Sequence, residues 1–398
     1  MANRQPTTGN QYLNPQFYDT MSWLRSSRRS YFCTAYSRLI EREALSQRHS
    51  ADSTTTDMPA GDIDWVFRPF IDEDAAGMTA LVNSVYESYK VPMRTTEEDF
   101  RARLGGPRSD PGRQWVVVEA PHLPGVPENM PAGYGGVRYD EDEEAGKRMY
   151  FLRVVVHKEA ESLGLERAIA GRLMGIIRGY QSDPEMKPLP RAVVKAWAFE
   201  QFHPTRALWE EMGLREVRRF WTMVHPLDEP VDEPNIVEGV TIRSYRNPAD
   251  NEGVCQTFNA SFSDHWDYYP MLPEDWDNWM KQPAVRTDLS LLAEIDGKPG
   301  AFAGFCMTEI NANDNKLRGV SEGWIELLGT IRGWRRMGLG RSLLLHGLHS
   351  LRSAGMDTAL LRVDSQSPTG AHKLYESTGF RIRSREFTYA CDLEDVRL

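Results

Sequence analysis

The sequence predicts an α/β (α+β) chain made of two tandem copies of one strand-and-helix unit. Three observations predict it. An order of strands and helices occurs twice after Trp65, each copy carries a glycine-bearing turn between a strand and a helix, and 398 residues exceed what a single core usually organises.

The first copy opens with a strand at Trp65 to Phe70, a short run rich in aromatic and β-branched residues. Helical spacing follows at Ala75 to Tyr89 and Thr96 to Leu104, then strands at Gln114 to Glu119, Ala132 to Tyr139 and Arg148 to His157. A helix at Ala168 to Tyr180, a strand at Ala192 to Phe199, a short helix at Pro204 to Met212 and a strand at Glu216 to Val224 complete it. The segment Leu227 to Val237, with Pro230, Pro234 and a run of acids, reads as a linker. The second copy begins at Val240-Thr241-Ile242-Arg243 and repeats the order to the C-terminus. The boundaries expected are therefore an extension and linker at 1–62, a first domain at 63–230 and a second at 238–398. Residues 1–62 are rich in Asn, Gln, Thr, Pro and Ser around a basic helical stretch, Thr20 to Arg48. They read as an extension that packs on the core or a partner, while Glu41 and Glu43 weaken a transit-peptide reading.

Composition narrows the function classes. A hydrophobic share of 40% supports packed cores, whereas 26% charged residues and a mean hydropathy of -0.52 speak against a membrane protein. No apolar run reaches the length of a bilayer span, and no apolar signal-peptide core stands at the N-terminus. The net charge of -10 argues against nucleic acid as the main partner. Cys33, Cys255, Cys306 and Cys391 are scattered without metal-ligand spacing, which predicts buried or idle thiols, no metal and a cytoplasmic location.

The chemistry concentrates in Arg335-Arg336-Met337-Gly338-Leu339-Gly340-Arg341, between the apolar run Trp324 to Ile331 and the helical pattern Ser342 to Ser350. A strand feeding a glycine turn and then a helix aims unpaired N–H groups and the positive end of a helix dipole at one point. Gly338 and Gly340 let a pyrophosphate approach the backbone, and Arg335, Arg336 and Arg341 add charge. The order Arg-x-x-Gly-x-Gly carries neither the third glycine of a dinucleotide fold nor the Gly-Lys-Ser/Thr of a P-loop. It resembles the acyl-CoA pyrophosphate loop of the GNAT acetyltransferases.

Downstream, a strand at Thr358 to Val363 leads to Ala371-His372-Lys373-Leu374-Tyr375 and Gly379-Phe380, similar to the second GNAT signature, with Ser367 and Pro368 where an Asn is usual. The resemblance implies two GNAT-like domains, each a mixed, mostly antiparallel sheet flanked by helices, and acetyl-CoA as co-substrate. It implies that Leu328, Thr330, Arg335, Arg336, Met337, Gly338, Leu339, Gly340, Arg341 and Ser367 bind the cofactor, and that Tyr375 stands beside its sulfur as proton donor or as a packing ring. A backbone N–H near Leu328, where the strand splays from its neighbour, would stabilise an oxyanion. Acetyl transfer needs a neutral amine, so a base must take a proton from an ammonium with a pKa of about 10. Glu326 is the first candidate, its alternative being a strand carboxylate paired with an arginine; His265 is the second candidate. The stretch bordering the acceptor side is aromatic and acidic. Asp264, His265, Tyr268 and Tyr269 are expected to receive a cationic amine, while Phe258, Phe262, Trp276 and Trp279 follow the spacing of a buried stripe.

The first copy departs from both signatures. Glu161-Ser162-Leu163-Gly164-Leu165-Glu166 puts carboxylates where the loop has Arg335 and Gly340, and Trp209 stands where the second copy has Tyr375. Like charges repel a pyrophosphate and an indole reprotonates no thiolate, so the first copy reads as structural or substrate-shaping. A degenerate first copy before an intact second one resembles the mycothiol synthases. The expected function is an acetyl-CoA-dependent N-acetyltransferase, monomeric or homodimeric, acting on a primary amine of a small molecule: an aminosugar or thiol precursor, an antibiotic or a polyamine. Protein or peptide acetylation and non-catalytic acyl-CoA binding are the alternatives.

Overall fold

The structure, a computed structural model, describes residues 64–104, 108–142, 145–266, 268 and 270–398; the expected extension at 1–62 and Tyr269 lie outside the described residues. In the first half, β1 (Val66–Pro69) is followed by α1 (Asp74–Ser88), α2 (Glu97–Leu104) and a single turn, α3 (Pro111–Gln114). Then come β2 (Trp115–Glu119), β3 (Gly133–Asp142), β4 (Lys147–Val156), α4 (Leu165–Ser182), β5 (Arg191–Phe199), α5 (His203–Glu211) and β6 (Arg215–Pro226). The second half runs β7 (Val240–Ser244), α6 (Asn251–Phe262), α7 (Pro273–Trp279), β8 (Leu291–Ile295), β9 (Phe302–Glu309), α8 (Ala312–Arg318) and β10 (Glu322–Thr330). It ends with α9 (Leu339–Ser353), β11 (Thr358–Asp364), α10 (Ala371–Ser377) and β12 (Arg381–Asp392). The order predicted from periodicity is present in both halves; α3 and α8 are additions.

All these strands join one sheet in the order β1-β2-β3-β4-β5-β12-β6-β11-β10-β9-β8-β7. Pairing is antiparallel except at β4–β5 and β10–β11, the position in each half where a helical crossover, α4 or α9, joins the two strands. The order also shows an exchange. β6, last strand of the first half, pairs with β11, and β12, last strand of the second half, pairs with β5. A residue of the first half can therefore face the loop of the second.

Side chains alternate between the faces of a strand, and the cores follow that alternation. Val118 packs with α4 and neighbouring Val117 with α1 and α2. Likewise Ala293 joins the core under α9, and Leu292 the core under α6 and α7. Helix α9 is held by Leu339, Leu343, Leu344, Leu348 and Leu351, all buried, each stabilising the packed state by about 1.5–3 kcal/mol before chain entropy is set against it. Gly347 lets it settle close to the sheet: a Cβ there would lie 2.7 Å from Cys306 Sγ. The linker between the halves lies on the same helix, with Leu227 and Val237 in its core and Ser342 Oγ donating to the Asn235 carbonyl at 2.7 Å.

Candidate functional site

Strands β10 and β11 part company within the sheet. Their parallel pairing stops at Ile325–Leu361, although β10 runs on to Thr330 and β11 to Asp364. On its other side β10 stays paired with β9, through a bulge that leaves Glu326 opposite no residue. Past Ile325, every second residue of β10 turns its backbone N–H and C=O toward the opening rather than toward β9. The opening is a cleft of ≈ 760 Å³, walled by β10, β11, the loop before α9, α10, the end of α6 and Phe220 of β6.

The loop owes its shape to two residues with positive φ. Arg336 (φ 66°) and Gly338 (φ 84°) reverse the chain after a 3₁₀ turn at Arg332–Trp334, and Gly338 becomes the N-cap of α9. The first intrahelical bond at this end runs from Ser342 N–H to the Gly338 carbonyl, so the N–H groups of Leu339, Gly340 and Arg341 have no helical partner. A Cβ on Gly340 would meet nothing closer than 3.6 Å, which leaves the floor of the loop open to an anion.

The expected cofactor residues divide by what they touch. Leu328, Thr330, Arg335, Arg336, Gly338, Gly340, Arg341 and Ser367 line the cleft. Leu339 and Met337 do not line it: the Leu339 side chain is buried in the α9 core and Met337 is exposed. The arginines differ as well. Arg335 is fully engaged: Nη1 donates to Asp264 at 2.8 Å, Nη2 to the Ser261 carbonyl at 2.7 Å and Nε to the Thr330 carbonyl at 3.1 Å. It ties the loop to the end of α6. Arg341 pairs with Asp232 of the linker at 2.6 Å. Arg336, exposed at the rim, has no such tie among the described residues and is the arginine placed to meet a phosphate from solvent.

On the acceptor side, the expected residues also separate. Asp264 accepts from Arg332 and Arg335, and these bonds hold its carboxyl down at about 2. It is absent from the cleft wall and serves the loop clamp. Tyr268 donates to Asn259 Oδ1 at 3.0 Å and packs on the α6–α7 core, away from the cleft. His265 does line the cleft, tilted on the Phe262 ring at 4.6 Å. Burial and the nearby Arg335 charge lower it to about 4, so it is neutral at pH 7 and a weak base. Phe258, Trp276 and Trp279 are buried, as a helical stripe requires, while Phe262 stacks on Phe258 at 4.7 Å and reaches the cleft.

Glu326 and Tyr375 both line the cleft. Glu326 makes no hydrogen bond or ion pair with another described residue; burial raises its pKa, against the opposing charge of Arg362. Glu309 on β9, bonded by Trp279 Nε1 at 2.8 Å, is raised too, by burial and by Glu326. A carboxylate that resists ionisation at the foot of a cleft is suited to hold and release a proton near neutrality. Tyr375 is buried, and desolvation raises its phenol, which therefore stays protonated. Burial likewise raises the thiol of Cys306, in the core beside Tyr375, to about 12.

Five contributors were not legible in the sequence. Phe220 reaches the cleft only through the strand exchange, Arg362 and Asp364 come from the apolar strand β11, and the linker's Asp232 and Asn235 reach the loop. The charged positions in Leu-Leu-Arg362-Val-Asp364 were the one local signal available.

The corresponding place in the first half has the same backbone and another chemistry. Ser162 (φ 62°) and Gly164 (φ 81°) repeat the Arg336–Gly338 pair after a 3₁₀ turn at Lys158–Ala160. Glu161 accepts from Tyr89 Oη and pairs with Lys158, both at 2.6 Å, and the buried Glu166 occupies the first turn of α4. The cavity there is ≈ 40 Å³, walled by Tyr86, Tyr89, Trp197 and Phe202.

Comparison with known proteins agrees with this geometry. Residues 251–380 match the Acetyltransferase (GNAT) family. The chain is 31% identical over 228 residues to a mycothiol acetyltransferase of Thermomonospora curvata, covering 57% of this chain and 69% of that one. It is 30% identical over 208 residues to that of Thermobifida fusca, covering 49% of this chain and spanning 64% of that relative's length. In fold it is similar to a GCN5-related N-acetyltransferase from Sphaerobacter thermophilus, with a TM-score of 0.65 at 23% identity over 83% of this chain and 96% of that one. Among the described residues no helix is long and apolar enough to cross a membrane. With both signatures on one cleft, this fold and these relatives, the chain belongs to the GNAT acetyltransferase family.

Proposed function

We propose that the chain transfers the acetyl group of acetyl-CoA directly to a primary amine of a small molecule, in the second half alone. The observation that carries this reading is the meeting of an open phosphate loop, Glu326 and Tyr375 in one cleft at the β10–β11 opening. The pyrophosphate would lie on the N–H groups of Leu339, Gly340 and Arg341, with Arg336 at the rim and Arg335 holding the loop's shape. The thioester would lie along the unpaired edge of β10, where a backbone N–H near Leu328 meets the developing oxyanion.

Glu326, directly or through a water, takes the amine proton. Its raised pKa brings it closer to the amine's, and His265 is too weakly basic to compete. Tyr375 hydrogen-bonds the departing sulfur and returns a proton to it. The relatives' name, mycothiol acetyltransferase, makes thiol-precursor amines the first acceptors to try, ahead of antibiotics and polyamines. Purified chain incubated with acetyl-CoA and a library of amines tests the reading: free thiol released with particular amines supports it. Tight acetyl-CoA binding without release for any amine or peptide would leave a binding module instead.

A further inference from the structure

Arg362 lies at the acceptor end of the cleft with part of its hydrogen-bonding capacity unused. Its side chain is only 6% exposed and stacks on Phe220, with the guanidinium carbon 4.1 Å from the ring centroid. Glu386, itself 5% exposed, takes one edge of the guanidinium: Nη2 donates at 3.0 Å and Nε at 3.4 Å. Nη1 is sealed from bulk solvent and has no hydrogen-bond partner. Arg362 nonetheless lines the cleft, and its charge reaches Glu326.

Leaving a buried N–H group without an acceptor is costly, more so when it is charged, so an acceptor entering the cleft would be favoured. The edge that Glu386 leaves is the end-on fork of Nη1 and Nη2, whose parallel N–H bonds match two coplanar oxygens. The other charges there are mixed, with Glu326 and Asp364 both within reach of the Arg362 charge. Asp364, two residues along β11, is turned to Arg218, with Oδ2 3.7 Å from Nε, and to the Gln366 N–H at 2.8 Å. The Arg218 guanidinium and the Lys195 ammonium lie over Trp266 at 4.8 and 5.4 Å, adding positive charge at the same end. An ammonium is repelled from Arg362 and drawn to Glu326, so the two groups sort the ends of a bifunctional molecule.

We propose that Arg362 is a specificity residue that receives a carboxylate of the acceptor, and hence that the acceptor is an amine carrying a carboxylate close to its nitrogen, an amino-acid-like molecule. This rests on the acetyl-transfer reading above. No bond is made or broken at Arg362; it orients the acceptor so that the nitrogen points at the thioester.

The test pairs leucine, lysine and phenylalanine with the amines they would give on decarboxylation, each assayed with saturating acetyl-CoA. In the wild type, kcat/KM favours the carboxylate-bearing member of at least one pair by about ten- to a hundredfold, the range of one charge-assisted recognition. Arg362→Met alone would strand the buried Glu386, so the informative variant is Arg362→Met with Glu386→Gln. There the ratio within the pair falls toward one while the melting temperature and acetyl-CoA affinity are retained; a merely structural role would lower both members alike. Equal efficiencies in all three pairs, or a preference that survives the double substitution, overturn the inference. If no amine is turned over, which would overturn the acetyl-transfer reading, calorimetry of the three amino acids with acetyl-CoA-saturated chain still decides. Binding lost in the double variant supports the carboxylate site, and binding that is absent or unchanged removes it.

Discussion

The two halves of this chain carry the same turn with opposite contents. Ser162 and Gly164 hold the φ values of Arg336 and Gly338 within a few degrees, each pair after a 3₁₀ turn and before a long helix. Yet the second half opens a cleft of ≈ 760 Å³, and the first leaves ≈ 40 Å³. This backbone is thus a way of entering a helix that either set of side chains accepts. What makes it a site is the side chains. Gly340 leaves the loop floor bare, whereas Glu166 fills it with a buried carboxyl; a cation, Arg335, is tied down in the second half where an anion, Glu161, is tied to Lys158 and Tyr89 in the first.

The largest effect expected separates the two glycines. Gly338→Val puts a β-branched residue at φ 84° with its Cβ 3.1 Å from Asn235 Nδ2, and should weaken acetyl-CoA binding by at least about a hundredfold. Gly164→Val, at φ 81° with open space around it, should lower the melting temperature and leave acetyl-CoA affinity unchanged. Calorimetry and a thermal melt on both variants read this directly.

Next in size is the base. Glu326→Gln keeps shape and removes basicity, and should lower kcat/KM at pH 7 by on the order of 10²-fold. The loss shrinks as pH rises toward the amine's pKa, because free amine then forms without help. A loss of equal factor at every pH, or no loss, removes Glu326 from the proton path. A smaller effect is expected for Tyr375→Phe, which keeps the ring and deletes the donor. Turnover should fall roughly tenfold to a hundredfold with acetyl-CoA affinity within a few-fold. Unchanged turnover under conditions where chemistry limits the rate would assign Tyr375 to packing.

The smallest effect lies in the first half. Burial raises the Glu166 carboxyl in the folded chain, and its Oε1 has no partner. An acid raised on folding holds its proton longer in the native than in the unfolded state, so stability falls as pH climbs through the interval between the two pKa values. Glu166→Gln should therefore raise the melting temperature at pH 8, by roughly 2–4 °C if the relief is ~1 kcal/mol, and change it little at pH 4. A pH-independent shift would mean that packing, not charge, separates the variants.

Much of this comparison was legible in the sequence because it is local. The Arg-x-x-Gly-x-Gly turn, the Tyr375 helix and their degenerate counterparts at Glu161–Glu166 and Trp209 are each short runs whose spacing fixes their chemistry. The repeated order of elements rests on the same local periodicity. Other features depend on partners far along the chain. Nothing near Phe220 announces that β6 crosses to pair with β11, so its place in the cleft was invisible. The bulge at Glu326 is a property of the β9–β10 register, and Arg335 and Asp264 were each assigned a ligand when they bind one another. Charges in a sequence advertise a ligand whether or not another residue already supplies it.

Titration calorimetry with acetyl-CoA reads whether one half alone holds the cofactor. One equivalent should bind per chain, abolished by Gly338→Val, retained in Gly164→Val, and not raised to two by Glu161→Arg with Glu166→Gly, since Tyr89, Trp197 and Phe202 still fill the first cleft. Two equivalents in the wild type, or a single equivalent lost with Gly164 rather than Gly338, would contradict it.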